Sequence, residues 1–212
     1  LTMFIDIVRF PWLRYNVDKP SSAVDFYGMV SCFLSENSIF DIRYKIKRKE
    51  KNTTYPDNTT TSVLPYMTHK FRLRYTKTFK KGWNMRTTID MNMHQIKYFP
   101  KEYGYILAQN IGYGVNNKIS SDFFAGYFHT DTYNTRVYSC ERNILNTFYM
   151  PSFYGKGIRI TLSARYAILR NVILSVKGGL TRYSDRDTIG SGTEQIDGNL
   201  RTDIYTYLRW KF

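Results

Sequence analysis

Cysteine is nearly absent. Cys32 and Cys140 are the only two in 212 residues, too few and too far apart for a zinc site or a disulfide framework. Long apolar runs are missing too: the longest pieces, such as "NVILSV", fall far short of the ~18 residues that mark a membrane-spanning helix. Helical spacing of apolar residues is equally scarce. Acidic residues are in short supply, 17 Asp and Glu against 31 Lys and Arg, for a formal net charge of +14. Such an imbalance points to a polyanionic neighbour such as nucleic acid, lipopolysaccharide or an acidic solute, or else to a solvated basic surface. Aromatics are plentiful, with 19 Tyr and 14 Phe, and that content excludes a disordered chain. The length suits one domain of any class, a single barrel included. No basic start, apolar core and small-residue cleavage site precede the first strand-like segment, so the expectation is that a signal has been removed or that this is a piece of a longer chain.

What the chain has instead is period-2 alternation, recurring at short intervals. In "NSIFDIRYKIKRKE" one face collects Phe40, Ile42, Tyr44 and Ile46, and the other Asp41, Arg43, Lys45 and Lys47. "KFRLRYTKTF" sets Phe71, Leu73 and Tyr75 against Lys70, Arg72, Arg74 and Thr76. "GWNMRTTIDMNMH" sets Trp83, Met85, Ile89, Met91 and Met93 against Asn84, Arg86, Thr88, Asp90, Asn92 and His94. "GIRITLSARYAI" opposes Ile158, Ile160, Leu162, Ala164, Tyr166 and Ile168 to Arg159, Thr161, Ser163 and Arg165. In "NVILSVKGGL" Val172, Leu174, Val176 and Leu180 face away from Ser175, Lys177 and Thr181. The last strand places Ile204, Leu208, Trp210 and Phe212 opposite Asp203, Tyr205, Arg209 and Lys211. "LTMFIDIVRF", "VDFYGMVSCFL", "GYILAQNIGYGV" and "KISSDFFAGYF" also read as strands, with less definite facing.

The connections alternate between short and long. Tight turns are expected at 35–37, 81–82, 116–117 and 169–171. Longer outer loops are expected near 11–24, 49–68, 98–103, 131–156 and 185–201. Short on one edge and long on the other is the pattern of a transmembrane β-barrel. The stretch "RVYSCERNILNTFYM" alternates, but counting it as a spanning strand would put the turn at 116–117 and the C-terminus on opposite sides. It therefore reads as part of an outer excursion, a hairpin standing above the membrane. The fold expected is all-β: an antiparallel transmembrane β-barrel of about ten spanning strands in a single domain, 1–212, with both ends periplasmic. A soluble β-sandwich also alternates, but its buried faces favour Val, Ile and Leu, whereas these apolar faces are heavy in Tyr, Phe, Trp and Met. In lipid only a closed sheet satisfies every backbone hydrogen bond, and Trp83, Tyr98, Tyr103, Tyr105 and Trp210 fit interfacial girdles.

The terminal "LRWKF" resembles the C-terminal signature of bacterial outer-membrane barrels, which implies that Leu208, Trp210 and Phe212 are read by the barrel-assembly machinery. Three stretches, "DIVRFPWLRYNVDKPSS", "HTDTYNTRVYSCERNILNTFYMPSFYGKG" and "RDTIGSGTEQIDGNLRTDIYTYLRWKF", resemble the C-terminal barrel region of a family of large Bacteroidota outer-membrane proteins that carry competence-type helix-hairpin-helix repeats before the barrel. The resemblance implies the C-terminal part of a larger barrel. It also implies that nucleic acid is a partner only through an N-terminal region outside these residues.

On the strands with clear facing the inner side is strongly basic: Arg43, Lys45, Lys47, Lys70, Arg72, Arg74, Arg86, Arg159, Arg165, Lys177, Arg209 and Lys211, against Asp41, Asp90 and Asp203. A lumen so biased attracts anions; the competing reading is that these charges pair with a plug or with loops. Lys49, Lys51, Lys101 and Arg142 are candidates for lipopolysaccharide phosphates. Catalysis has thin support: Asp90, Asn92 and His94 share one face, but successive same-face residues sit ~7 Å apart, too far for Asp90 to meet His94 directly. His69 and His129 lack ligand neighbours for a metal, and "IGSGTEQIDG" is a loop rather than a phosphate cradle. The sequons at Asn52 and Asn58 matter only in a eukaryotic secretory context. The expectation is a non-enzymatic, cofactor-free component of the bacterial outer membrane, a transport or channel element for an anionic or polymeric solute, with DNA suggested by the resemblance alone. The alternative is an anchor or subunit of a larger outer-membrane or periplasmic complex that conducts nothing.

Overall fold

The alternating segments become extended backbone throughout. The computed structural model describes residues 1–55, 60–115, 118–147 and 150–212. The strands are β1 (Thr2–Phe10), β2 (Ser21–Ser35), β3 (Ser38–Thr54), β4 (Thr61–Thr78), β5 (Trp83–Ile96), β6 (Glu102–Val115), β7 (Ile119–Thr130), β8 (Val137–Tyr138), β9 (Ser152–Phe153), β10 (Lys156–Ala167), β11 (Val172–Tyr183), β12 (Thr188–Ile189), β13 (Ile196–Asp197) and β14 (Leu200–Trp210). Ten of them form one antiparallel sheet in the order β1-β2-β3-β4-β5-β6-β7-β10-β11-β14. Two-residue ladders join β8 to β9 and β12 to β13 inside longer connections. Among the described residues no helix is long and apolar enough to cross a membrane.

The ten long strands and their antiparallel order match the sequence pattern, but the expected closure does not occur. β1 pairs with β2 alone and β14 with β11 alone, so the sheet is open. Closure requires a ladder between the first and last strands; here each keeps one row of backbone N–H and C=O groups without a strand beside it. The connections are also shorter than expected. β3 runs on to Thr54 and β4 starts at Thr61, so only 55–60 separate them. Turns fall at 36–37, 79–82 and 168–171 as the sequence indicates; the turn at 116–117 and the sequon residue Asn58 lie outside the described residues.

Facing follows the alternation with unusual polarity. On β10, Ile158 is 48% exposed and Leu162 59%, while Arg159 is 2% and Thr161 3% exposed. The neighbouring β11 repeats this: Val176 and Leu180 are exposed, Ser175, Lys177 and Thr181 buried. On β5, Thr88, Asp90, Asn92 and His94 are buried while Met91 is exposed. The hydrophobic effect alone drives the opposite arrangement in water. This sheet covers its polar face and leaves its apolar face bare.

What covers the polar face is the connection between β7 and β10. The expected outer hairpin above the sheet is corrected: β8 and β9 do pair, but the segment folds inward as a strap. It runs transversely over β5, β6, β7, β10, β11 and β14. Asn92 on β5 donates to the Arg136 carbonyl at 2.8 Å, Asn110 on β6 to the Cys140 carbonyl at 3.4 Å, Arg142 meets Asp122 on β7 at 2.9 Å, and Asn146 donates to the Tyr207 hydroxyl on β14 at 2.7 Å. A small apolar cluster pins the strap's two ends. Val137 and Phe153 pack with Ile106, Ala108, Phe124, Phe128, Tyr183 and Ile189, and the Phe128 ring stacks on Phe153 with centroids 4.9 Å apart and meets Tyr183 edge-on at 5.6 Å. The strap begins in a turn over Tyr133–Thr135, where Thr132 and Thr135 cap each other reciprocally, as a short hydroxyl side chain does at the start of a helical turn.

Phe128→Ala should cost about 3–5 kcal/mol, the range for emptying a buried aromatic site, and free the strap. The check is the midpoint of unfolding of the purified protein together with proteolytic nicking between β7 and β10; an unchanged midpoint contradicts the assignment.

Candidate functional site

The polar face divides into a paired half and an unpaired half. In the paired half Glu141, at the middle of the strap, lies between β10 and β11. Arg159 Nε and Nη2 donate to its carboxylate, each at 3.1 Å, and Lys177 Nζ donates at 2.7 Å. The far side of the same guanidinium clamps Asp203 on β14 at 2.7 and 2.8 Å and donates to Thr181 at 3.0 Å. Ser139 donates at 3.0 Å to Glu141 Oε2, the oxygen that also accepts from Arg159 Nε, and Asn143 accepts from Lys177 at 2.7 Å. Register explains the meeting: Arg159 stands opposite Thr181, and Gly179 opposite Asp203. A methyl group at Gly179 would fall 2.4 Å from both the Arg159 and Asp203 head groups, so the absence of a side chain there makes room for the pair. At Gly104 the same test meets the Thr135 carbonyl at 2.4 Å, which lets the strap lie directly on β6. Burial would raise the Glu141 carboxyl, but hydrogen bonds from Arg159 and Lys177 outweigh it and hold the group below the ordinary carboxylate range.

The unpaired half spans β2 to β5. Arg43 stands opposite Arg72 and Lys45 opposite Lys70 in the β3–β4 register, an arrangement of like charges that destabilises a sheet unless something answers it. Arg72 is answered by Asp90 on β5 through a bidentate pair. Lys45 and Lys47 share Asp25 on β2, at 3.8 and 2.9 Å.

Ten of the twelve basic residues expected on the inner face divide into a paired and an unpaired set. Arg72, Arg159 and Lys177 are internally paired, and Lys45 and Lys47 are partly so. Among the described residues Arg43, Arg74, Arg86, Arg165 and Arg209 have no carboxylate within 4.0 Å; Arg86, near the start of β5, remains exposed, whereas the Nε atoms of Arg74, Arg165 and Arg209 are buried without a hydrogen-bond partner. The structure therefore brings acid and base together over part of a face that the sequence makes strongly basic. Of the outer-edge candidates, Lys49 and Lys51 lie in β3 and Arg142 is engaged with Asp122. Asp90 and His94 are separated as expected: Asp90 holds Arg72, and His94 Nδ1 lies 3.1 Å from the Thr68 hydroxyl. Leu208 and Trp210 are exposed on the apolar side of β14, and Phe212 follows the strand, also exposed. Sequence reasoning missed Glu141. The signal available was an acid in the middle of a connection facing a basic sheet, but its partners lie 18 and 36 positions away.

No family model matches the chain, and no curated protein matches it.

Removing one member of a buried ion pair strands the other's charge, so Glu141→Ala should cost about 3–5 kcal/mol, measured as the shift in unfolding free energy. The sign with pH follows from the lowered pKa: the Glu141 contribution is complete at neutral pH and is lost as pH falls through the ordinary carboxylate range toward the folded value. Strap protection from protease should decline with acidification in the wild type, and Glu141→Gln should start low and respond much less.

Proposed function

We propose that this chain is an integral β protein of the bacterial outer membrane, non-enzymatic, whose basic inner face handles an anionic solute and is partly filled by the strap. One observation carries the reading: polar side chains are buried and apolar ones exposed along β10 and β11, and on β14 Ile204, Leu208 and Trp210 are exposed opposite the half-buried Asp203, Tyr205 and Arg209. In water that polarity wastes apolar burial, whereas in lipid it is the favoured one. Exposed Trp83, Tyr98, Tyr103 and Trp210 suit the interfacial positions expected of them. The bare edges of β1 and β14 call for strand partners, because an unpaired edge is costly in hydrocarbon. The C-terminal part of a larger barrel supplies such partners, in keeping with the resemblance to the helix-hairpin-helix outer-membrane proteins. On that reading DNA is a solute only through the helix-hairpin-helix region, and lipopolysaccharide and the assembly machinery are the remaining partners.

The open edges and the strap also favour a second reading, a structural subunit that conducts nothing. Two experiments separate the possibilities. The protein should stay with membranes in high salt and require detergent for extraction; release by salt alone contradicts membrane insertion. Reconstituted in planar bilayers, the wild type should prefer anions and Arg43→Glu plus Arg74→Glu should shift the reversal potential toward cations. Unchanged selectivity contradicts the anion path, and absent conductance with co-purifying subunits supports the structural reading.

A further inference from the structure

At the border of the strap a half-open cavity of about 360 Å³ lies on the polar face, lined by Lys45, Lys47, Lys51, Lys70 and Arg136 together with Tyr66, Thr68, His94 and Asn134. Four of the five cations come from β3 and β4 and one from the strap. We propose that this cavity binds a soluble, multiply charged anion bearing phosphate groups.

Three observations converge on it. First, the charge is uncompensated. Asp25 answers Lys45 and Lys47, but among the described residues no carboxylate lies within 4.0 Å of the Lys51, Lys70 or Arg136 head groups. Second, the sheet register sets Lys45 directly opposite Lys70, so two cationic side chains leave the backbone from neighbouring positions on one face, fixed there by main-chain hydrogen bonds rather than by attraction. Such a pair is unfavourable alone and becomes favourable when an anion bridges it. Third, His94 is 4% exposed at the cavity wall, with Nδ1 held by Thr68 and Nε2 buried without a hydrogen-bond partner. A buried imidazole nitrogen without a partner is costly, and a ligand or its bound water satisfies it.

The chemistry selects the class of anion. A single carboxylate neutralises one of these charges and leaves the rest repelling. Phosphate oxygens accept from several lysines at once, while Arg136, whose Nε and Nη1 donate to the Tyr138 hydroxyl and the Tyr133 carbonyl, adds its charge and its remaining Nη2. The space exceeds one phosphate and suits a pyrophosphate or a phosphate ester with a small attached group. Lipid is disfavoured as the source, because the cavity is lined by polar-face residues and the apolar side chains point to the other side of the sheet. The inference gives a ligand class to the anion-handling reading above and rests on it for biological meaning, but binding is measurable whether or not the protein conducts or inserts.

The test is isothermal titration calorimetry of inorganic pyrophosphate into the detergent-solubilised full chain, in a buffer free of phosphate, at low and at physiological chloride. The expected result is saturable one-site binding that weakens with added salt. Affinity should fall about tenfold or more in Lys51→Gln plus Lys70→Gln, the scale for removing charge-assisted hydrogen bonds. Arg136→Gln changes the strap's contribution alone and should weaken binding in the same direction, which guards against misfolding of the double variant. Lys118→Gln, exposed in the turn before β7, should bind as the wild type does. No saturable binding by the wild type, or affinity equal to wild type in the double variant and in Arg136→Gln, overturns the proposal. Binding that survives while conductance or membrane insertion fails overturns the transport reading and leaves the site standing.

Discussion

The arrangement turns on a buried arginine. Arg159 sits 2% exposed near the start of β10, and a guanidinium so placed cannot lose its proton to escape the cost of desolvation. It must be answered locally, and two carboxylates answer it: Asp203 from the next strand but one, and Glu141 from a connection that has to fold down across the sheet to arrive. That requirement fixes where the strap lies. The strap in turn covers Lys177 and the hydroxyl-bearing residues around it, and gives the polar face of β5 to β14 an interior. The apolar cluster at Phe128 and Phe153 holds the strap's ends, but the charges determine its middle.

The consequence is a sheet with two unequal halves. Over β10 and β11 acid and base are matched and buried around Arg159 and Lys177, whereas Arg165, farther along β10, is without a carboxylate within 4.0 Å among the described residues. Over β3 and β4 the cations stand in register with one another, and the strap stops short at Arg136. An unbroken basic lining would act as a diffuse field for anions. The observed division gathers five of the cations at one cavity, with a wall of known residues and a volume, and there converts a field into a site. Whether other strands complete the sheet at β1 and β14 changes the enclosure but not this division, because every residue of the site belongs to β3, β4, β5 or the strap.

Much of this was legible in the sequence, and the gaps have physical causes. Ten strands, their antiparallel order and the facing of β3, β4, β5, β10, β11 and β14 follow from period-2 alternation with few exceptions. Ile158, Ile160 and Leu162 against Arg159, Thr161 and Ser163 could be assigned by eye. β6 and β7 resisted because Ile106, Phe124 and Phe128 point to the polar side, where they meet the strap; a local pattern cannot register a partner that folds back from later in the chain. The strap was misplaced for the same reason, since the ion pairs that hold it join residues 18 to 36 positions apart. The open edges were invisible as well, because alternation constrains which face a residue takes and says nothing of whether the first strand reaches the last. The pairing of the inner charges depended on register, and one residue of slippage reverses every face.

The central claim is that the exposed apolar face meets lipid, and site-directed spin labelling along β10 tests it most directly. With Cys32 and Cys140 replaced by serine, single cysteines at positions 158 to 163 would carry the nitroxide in protein reconstituted into lipid vesicles. Collision with oxygen, which partitions into hydrocarbon, should be high at 158, 160 and 162 and low at 159, 161 and 163, with collision by a water-soluble nickel reagent low at the first set. A reversed alternation, or nickel access at 158, 160 and 162 equal to that of an exposed turn such as Lys118, would contradict it.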